Sequence, residues 1–142
     1  MNYLRVGLYG LVGLLFMSAV FAVQAAPAPA PGLVDLGFTD FRASGYTKAF
    51  ATWAYGGPLA QDANYGKRLV ASTSFWNSLG RCRSYDEVDA QPISNRSTVV
   101  TLTAQFDRGE VFFRFIVYND LGRSSITSID WATDPALLAD WR

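Results

Sequence analysis

Residues 97–133 read STVVTLTAQFDRGEVFFRFIVYNDLGRSSITSIDWAT, and this stretch decides the fold of the chain. Apolar and polar side chains alternate along it with a period of two, and turn residues interrupt it near Gly109 and Gly122. That pattern is typical of three consecutive β-strands joined by two tight turns. The alternation also sorts the side chains into an apolar face and a more polar face. The sequence therefore predicts a curved antiparallel sheet whose apolar face must be covered.

The register of the first hairpin follows if Arg108-Gly109 forms a two-residue loop, a length that favours tight hairpins. A slip by one residue would mix the two faces, so we expect this register, at the local cost of Asp107 opposite Glu110. The pairs on the apolar face would then be Phe106–Val111, Ala104–Phe113, Leu102–Phe115 and Val100–Val117.

The last strand leaves two alternatives open, because strict alternation cannot place Ile126 and Ile129 on one face. Either a β-bulge resets the phase, or the strand is apolar on both sides. The position of Asp130 depends on this choice. With a plain two-residue loop at Leu121-Gly122 it pairs with Phe113 on the apolar face, whereas a bulge before Ile129 turns it towards solvent.

Helices are predicted before the sheet. Two short apolar stripes, 34–41 and 46–53, are separated by Ser44-Gly45, which indicates two short helices or one broken helix. A longer stripe over 65–79 predicts a third helix that begins at an Asn64 cap.

Gly80 suits the end of that third helix, and residues 82–93 then predict an edge strand with Pro92 near its end. The chain thus has helices first and about four antiparallel strands afterwards. We expect an α+β fold in which the N-terminal helices pack on one face of the sheet.

The first 25 residues predict a secretory signal peptide, because Arg5 is followed by an uncharged apolar run over 6–23 and by small residues. An uncleaved membrane anchor is the alternative, since the run is nearly long enough to span a bilayer. Residues 26–32 would be a Pro/Ala linker and residues 33–142 a single domain. We expect a periplasmic or secreted protein, and no lipoprotein anchor because no cysteine lies near the cleavage site.

Composition excludes several classes of function. The 12 basic and 12 acidic residues balance, so the chain offers no basic surface for nucleic acid or for anionic lipid. Histidine is absent, which removes the commonest general base and the commonest metal ligand. We therefore expect no metal, no cofactor and, after cleavage of the signal, no membrane contact.

A single cysteine, Cys82, excludes an internal disulfide framework. It lies between Arg81 and Arg83, whose charges would stabilise a thiolate and make the thiol reactive. The alternative is a small buried apolar residue at a helix–strand junction.

Four segments stand out as a set: Gly45–Phe50, Gly57–Leu59, Leu79–Val88 and Phe112–Tyr118. Together they resemble small exported domains of the NTF2-like (cystatin-like cone) superfamily, and the resemblance covers about residues 41–134. It implies a cone-shaped pocket between helices and sheet, and often a dimer through the sheet. Many such domains have no known activity, and our first hypothesis is a non-enzymatic domain that binds a small apolar ligand or a protein partner.

Aromatic rings of the helices and the sheet would line the cone implied by the resemblance. The same spacing is also typical of an ordinary core. The candidate pocket residues are Phe50, Trp53, Phe75, Trp76, Phe113, Phe115 and Trp131.

Asp130 is the candidate catalytic residue if it lies in that pocket, where a carboxylate would have a raised pKa and could act as a base. This resembles the isomerases of the superfamily, and an isomerase or dehydratase is the alternative function.

The other face of the sheet supplies a candidate interface. Arg114 could bind a carboxylate ligand or cross a dimer interface there, or it could lie in solvent and pair with a neighbouring acid. The candidate interface residues are Phe112, Arg114, Ile116 and Tyr118.

Overall fold

The computed structural model describes residues 32–139, so the predicted signal peptide and nearly all of the predicted linker lie outside the described residues. Gly32, the last residue of the predicted linker, begins the first helix. Among residues 32–139, no helix combines the length and apolar character needed to cross a bilayer. In chain order the elements are α1 (Gly32–Ser44), α2 (Tyr46–Ala54), a 3₁₀ helix (Pro58–Gln61), α3 (Ala63–Ala71), α4 (Thr73–Leu79), β1 (Cys82–Pro92), β2 (Ser97–Phe106), β3 (Gly109–Asp120), β4 (Arg123–Ala132) and α5 (Ala136–Ala139).

The four strands form one curved, open antiparallel sheet in the order β1-β2-β3-β4, and the preceding helices cover one of its faces. This confirms the predicted α+β fold and the position of β1 at an edge. We call the helix-covered side the inner face and the opposite side the outer face. Every second residue of β2 and β3 points inward because of the two-residue period of a strand. The buried residues of this row are Val100, Leu102, Ala104, Phe106, Val111, Phe113, Phe115 and Val117.

The predicted register of the β2–β3 hairpin is wrong by two residues. The loop is Asp107-Arg108, so Phe106 pairs with Gly109 and Ala104 with Val111, and Asp107 does not face Glu110. The helix–strand junction fixes this turn, because the backbone N–H of Arg108 donates to the Leu79 carbonyl at 3.0 Å and the Asp107 carboxylate accepts from the backbone N–H of Arg81 at 2.9 Å.

A shift of two residues preserves the face of every side chain, whereas a shift of one would not. The prediction of which side chains face inward is therefore confirmed despite the error in register. The prediction that every pair on this face is apolar is wrong, because Val117 pairs with Thr98 and not with Val100.

The last strand adopts the first of its two alternatives, a β-bulge. The tight turn at Leu121-Gly122 is followed by regular pairing as far as Val117 with Ile126, and the register then shifts by one. Thr127 is the extra residue, and its hydroxyl donates to the Ile116 carbonyl at 3.2 Å. The bulge places both isoleucines of β4 in the core, Ile126 fully buried and Ile129 at 1% exposed.

Helices α1 and α2 are separate, as the Ser44-Gly45 break indicates, with Gly45 at φ 88°. They pack closely because Gly37 of α1 has no side chain where the Trp53 indole lies. The indole nitrogen donates to the Val34 carbonyl at 3.1 Å, which ties α2 to the first turn of α1.

The single helix predicted from Asn64 to Leu79 is wrong, because the chain forms α3 and α4 with a break at Ser72. The Ser72 hydroxyl donates to the Leu69 carbonyl at 3.0 Å and accepts from the Trp76 indole at 3.0 Å, so it competes with regular helical bonding. The cap of α3 is Asp62 and not Asn64. Gly80 ends α4 as expected.

Candidate functional site

The aromatic residues predicted to line an internal pocket belong to one packed cluster. Phe50, Trp53, Trp76, Phe113 and Phe115 are 0–3% exposed, and Phe75 and Trp131 are partly buried against them. Their rings fill the space between the helices and the sheet. For example, the ring centroids of Trp53 and Phe115 are 5.0 Å apart, and those of Phe50 and Trp131 are 5.1 Å apart. A ligand could reach most of these rings only if the core opened.

A groove of about 860 Å³ lies next to this cluster, between α2, the 3₁₀ helix and α3. Phe50 reaches it from the core, so one predicted pocket residue lines the groove from its inner side. The lining is mainly apolar, as is usual for sites that bind small molecules. Its larger apolar and aromatic members are Phe50, Tyr55, Leu59, Tyr65 and Leu69.

The turn after α2 shapes one wall of the groove. Gly56 adopts φ 70°, a conformation that favours glycine, and reverses the chain at the end of α2. Gly57 then approaches β4 so closely that a Cβ there would lie 3.1 Å from the Ile126 carbonyl oxygen. Pro58 begins the 3₁₀ helix, and Leu59, 7% exposed, anchors it in the core. The sequence Gly-Gly-Pro-Leu therefore fixes this wall against the sheet.

Tyr65 forms part of the groove next to Phe50. Its hydroxyl donates to the Phe50 carbonyl at 2.9 Å, and burial raises the pKa of this phenol, an effect that the charge of Arg68 only partly opposes. Tyr65 is therefore neutral and holds α3 against α2.

Asp62 and Gly66 shape the side of α3 that faces the groove. The Asp62 carboxylate caps α3 by accepting from the backbone N–H of Asn64 at 2.8 Å. Gly66 lies inside the helix, where glycine costs about 0.5–1 kcal/mol relative to alanine. A Cβ at Gly66 would meet no atom within 4 Å, so packing does not require this glycine. Its effect is to leave the groove wide.

Asp130, the candidate base, pairs with Arg114 on the outer face because of the bulge in β4. The predicted alternative in which it pairs with Phe113 on the inner face is wrong. Its carboxylate forms an ion pair with Arg68 at 3.2 Å and accepts from the Ser128 hydroxyl at 3.4 Å. These contacts separate Asp130 from the aromatic cluster.

The candidate interface residues all lie on the outer face and are partly exposed. In β3 they alternate with the buried inner row, as predicted. Arg114 also contacts the C-terminal helix, because its guanidinium donates to the Leu138 carbonyl at 3.1 Å. Helix α5 thus contacts one of the four residues, and their role in an interface stays a prediction.

Cys82 is buried, 6% exposed. Burial raises the pKa of this thiol to about 11, although the charge of Arg42 opposes part of the shift. The flanking Arg83 instead forms an ion pair with Asp107. Cys82 is thus a neutral thiol at neutral pH, which favours the alternative of a small buried residue over a reactive thiolate.

A polar contact links α1 to β1. The Tyr85 hydroxyl donates to the Asp35 carboxylate at 2.9 Å, and one oxygen of the Glu87 carboxylate is buried without a hydrogen-bond partner. The pKa of Glu87 is raised mainly by burial, and the negative charges of Asp35 and Asp89 raise it further. Within residues 32–139, however, no group of three His, Cys, Asp or Glu side chains could hold a metal ion.

Sequence reasoning missed the groove, because Tyr65 and Leu69 had the spacing of a core-facing stripe. The available signal was Gly66, a glycine within a predicted helix. Comparisons of the chain with protein-family models, with curated proteins and with solved structures found no match.

Proposed function

We propose that this chain is an exported, non-enzymatic NTF2-like domain that binds a small molecule with an apolar body in the groove between α2 and α3. The observation that carries the proposal is the groove itself. Its volume, about 860 Å³, is within the usual range of roughly 300–1,000 Å³ for small-molecule sites. The signal-like N-terminal sequence and the NTF2-like motifs support export and family, respectively.

The position of the groove differs from the site that the family resemblance implies. Rings such as Trp53 and Phe113 fill the space between the helices and the sheet, so the proposed ligand binds beside this cluster, in the groove that Phe50 lines from the core side. An isomerase with an acidic base in the cone is less well supported, because Asp130 lies on the outer face and is bound to Arg68.

The test uses the neutral fluorescent probe N-phenyl-1-naphthylamine and two variants at one position. Gly66→Phe places a ring in the groove, whereas Gly66→Ala adds only a methyl group to open space. We expect saturable one-to-one binding to the wild-type chain, unchanged binding to Gly66→Ala, and binding at least tenfold weaker to Gly66→Phe.

Neither substitution meets an existing atom at its Cβ, so both variants should fold. The melting temperature of each variant checks that the fold is preserved. Two outcomes contradict the proposal. One is the absence of saturable binding to the wild-type chain, and the other is equal affinity of Gly66→Phe and Gly66→Ala.

A second candidate function is binding of a protein partner, or of a second copy, through the outer face. The observation in its favour is an apolar pair at the centre of that face, Val99 opposite Ile116, both partly exposed. Phe112 and Tyr118 extend this patch along β3.

A further inference from the structure

This inference rests on the proposed function and concerns the charge of the ligand. We infer that the groove selects an organic cation, meaning a protonated amine or a quaternary ammonium group carried on an apolar body.

Asp62 is the only described residue lining the groove whose side chain is charged at neutral pH. Its carboxylate lies at the rim and uses one oxygen, Oδ1, to cap α3. The start of α3 contributes about half a positive charge, which the full negative charge of the carboxylate exceeds. A cation in the groove is therefore attracted, and an anion is opposed.

Aromatic rings provide a second source of selectivity. Phe50, Tyr55 and Tyr65 line the groove, but Phe50 and Tyr65 are buried, so Tyr55 is the ring among them whose face a cation can reach. Tyr55 is 82% exposed, so its ring is free to close over a bound ligand. Tyr65 stays neutral, as its buried hydroxyl requires, and adds no negative charge of its own.

Arg68, a basic side chain that follows Gly66 by two residues in α3, is held outside the groove lining. Arg68 affects the pKa of Tyr65 through its charge, but it is not part of the groove lining. Its guanidinium donates to the Ile129 carbonyl at 3.0 Å and pairs with Asp130 at 3.2 Å. The carboxylate of Asp130 therefore offsets much of the positive charge that Arg68 would present to a ligand in the groove.

The experiment compares three probes of equal chain length, decyltrimethylammonium, 1-decanol and decanoate, each displacing N-phenyl-1-naphthylamine at low ionic strength. We expect the cation to bind about threefold more tightly than the alcohol, as for an exposed charge pair, and the anion to bind more weakly than both. Added salt reduces the difference, because exposed charges are screened.

The decisive variant is Asp62→Asn, because asparagine caps a helix about as well as aspartate. It removes the charge and keeps the cap. We expect its preference for the cation to fall by about threefold while its affinity for 1-decanol stays unchanged. The control is Gly66→Phe, which is expected to weaken binding of all three probes.

The outcomes separate the inference from the proposed function. Equal affinities for the three probes, tighter binding of decanoate, or an unchanged preference in Asp62→Asn would overturn the inference and leave the groove as a binding site. Failure of every probe, including the naphthylamine, to bind the wild-type chain would overturn the proposed function and the inference with it.

Discussion

The guanidinium of Arg68 lies over the ring of Trp131, with 4.8 Å between its central carbon and the ring centroid. The same group donates to the Ile129 carbonyl and pairs with Asp130. One side chain of α3 therefore contacts three consecutive residues of β4. These contacts hold the α3 wall of the groove against the edge of the sheet.

Replacement of Arg68 with alanine should loosen this wall. We expect the free energy of unfolding to fall by about 1 kcal/mol, because a cation–π contact and a partly exposed ion pair are lost. Urea unfolding followed by tryptophan fluorescence measures the change. The control is Lys67→Ala, on an exposed neighbour in the same helix, which should change stability by less than about 0.5 kcal/mol. Equal losses in the two variants would show that the contacts with β4 do not stabilise the fold.

Gly37 and Gly66 both lie inside helices, and replacement with alanine should have opposite effects on stability at the two positions. A Cβ at Gly37 would overlap the Trp53 indole, so Gly37→Ala should destabilise the fold by about 1–3 kcal/mol. A Cβ at Gly66 meets open space, so Gly66→Ala should stabilise it by about 0.5–1 kcal/mol. Equilibrium unfolding of both variants measures the difference. A Gly37→Ala chain as stable as wild type would contradict the packing of α1 on α2.

The faces of the strands could be predicted from the sequence, and the register could not. Alternation in β2 and β3 assigns each side chain to a face, and it does so equally well for registers that differ by two residues. The choice between those registers depends on Asp107 and Arg108, which bond to the distant segment that ends α4. Such contacts are tertiary and leave no local pattern.

The β-bulge and the groove were likewise only partly predictable from the sequence. The spacing of Ile126 and Ile129 indicated a bulge as one of two alternatives, but only the register shift in the folded sheet decides between them. The break at Ser72 depends on a hydrogen bond from Trp76, and it was not predicted. The groove is formed by three separate elements that meet only in the folded chain, so a glycine inside a predicted helix, Gly66, was its one local signal in the sequence.

Glu87 should give the fold a pH dependence. Its pKa is raised from 4.5, so the folded chain binds its proton more tightly than the unfolded chain. This contribution to stability is fully present below the unfolded pKa and is lost as the pH rises through the raised pKa. In the window between these two pKa values the melting temperature of the wild-type chain should fall as the pH rises, and Glu87→Gln should reduce this fall. The same variant should raise the melting temperature at pH 7.

The control for this measurement is Asp86→Asn, on the exposed neighbour in β1. It should leave the same part of the pH profile unchanged. A Glu87→Gln profile that runs parallel to wild type through the window would contradict the raised pKa.

The apolar patch on the outer face leads to a prediction of the oligomeric state. If the patch around Ile116 joins two copies, light scattering should give the mass of a dimer for wild type and of a monomer for Ile116→Asp, because a charge would be buried without a partner. Arg114→Ala should also lower the dimer fraction. Val88→Asp, at an exposed position on β1, is the control and should keep the wild-type mass. A mass unaffected by Ile116→Asp would count against this interface.

The most direct measurement of where a ligand binds is a titration of the ¹⁵N-labelled chain with N-phenyl-1-naphthylamine, followed by amide chemical shifts. The ring currents of the probe should shift the amides of groove residues, including Ala54, Gly57 and Gly66, and leave those of the outer face, such as Ile116, in place. Saturating shifts at Ile116 and Tyr118 with none at Gly66 would contradict the account.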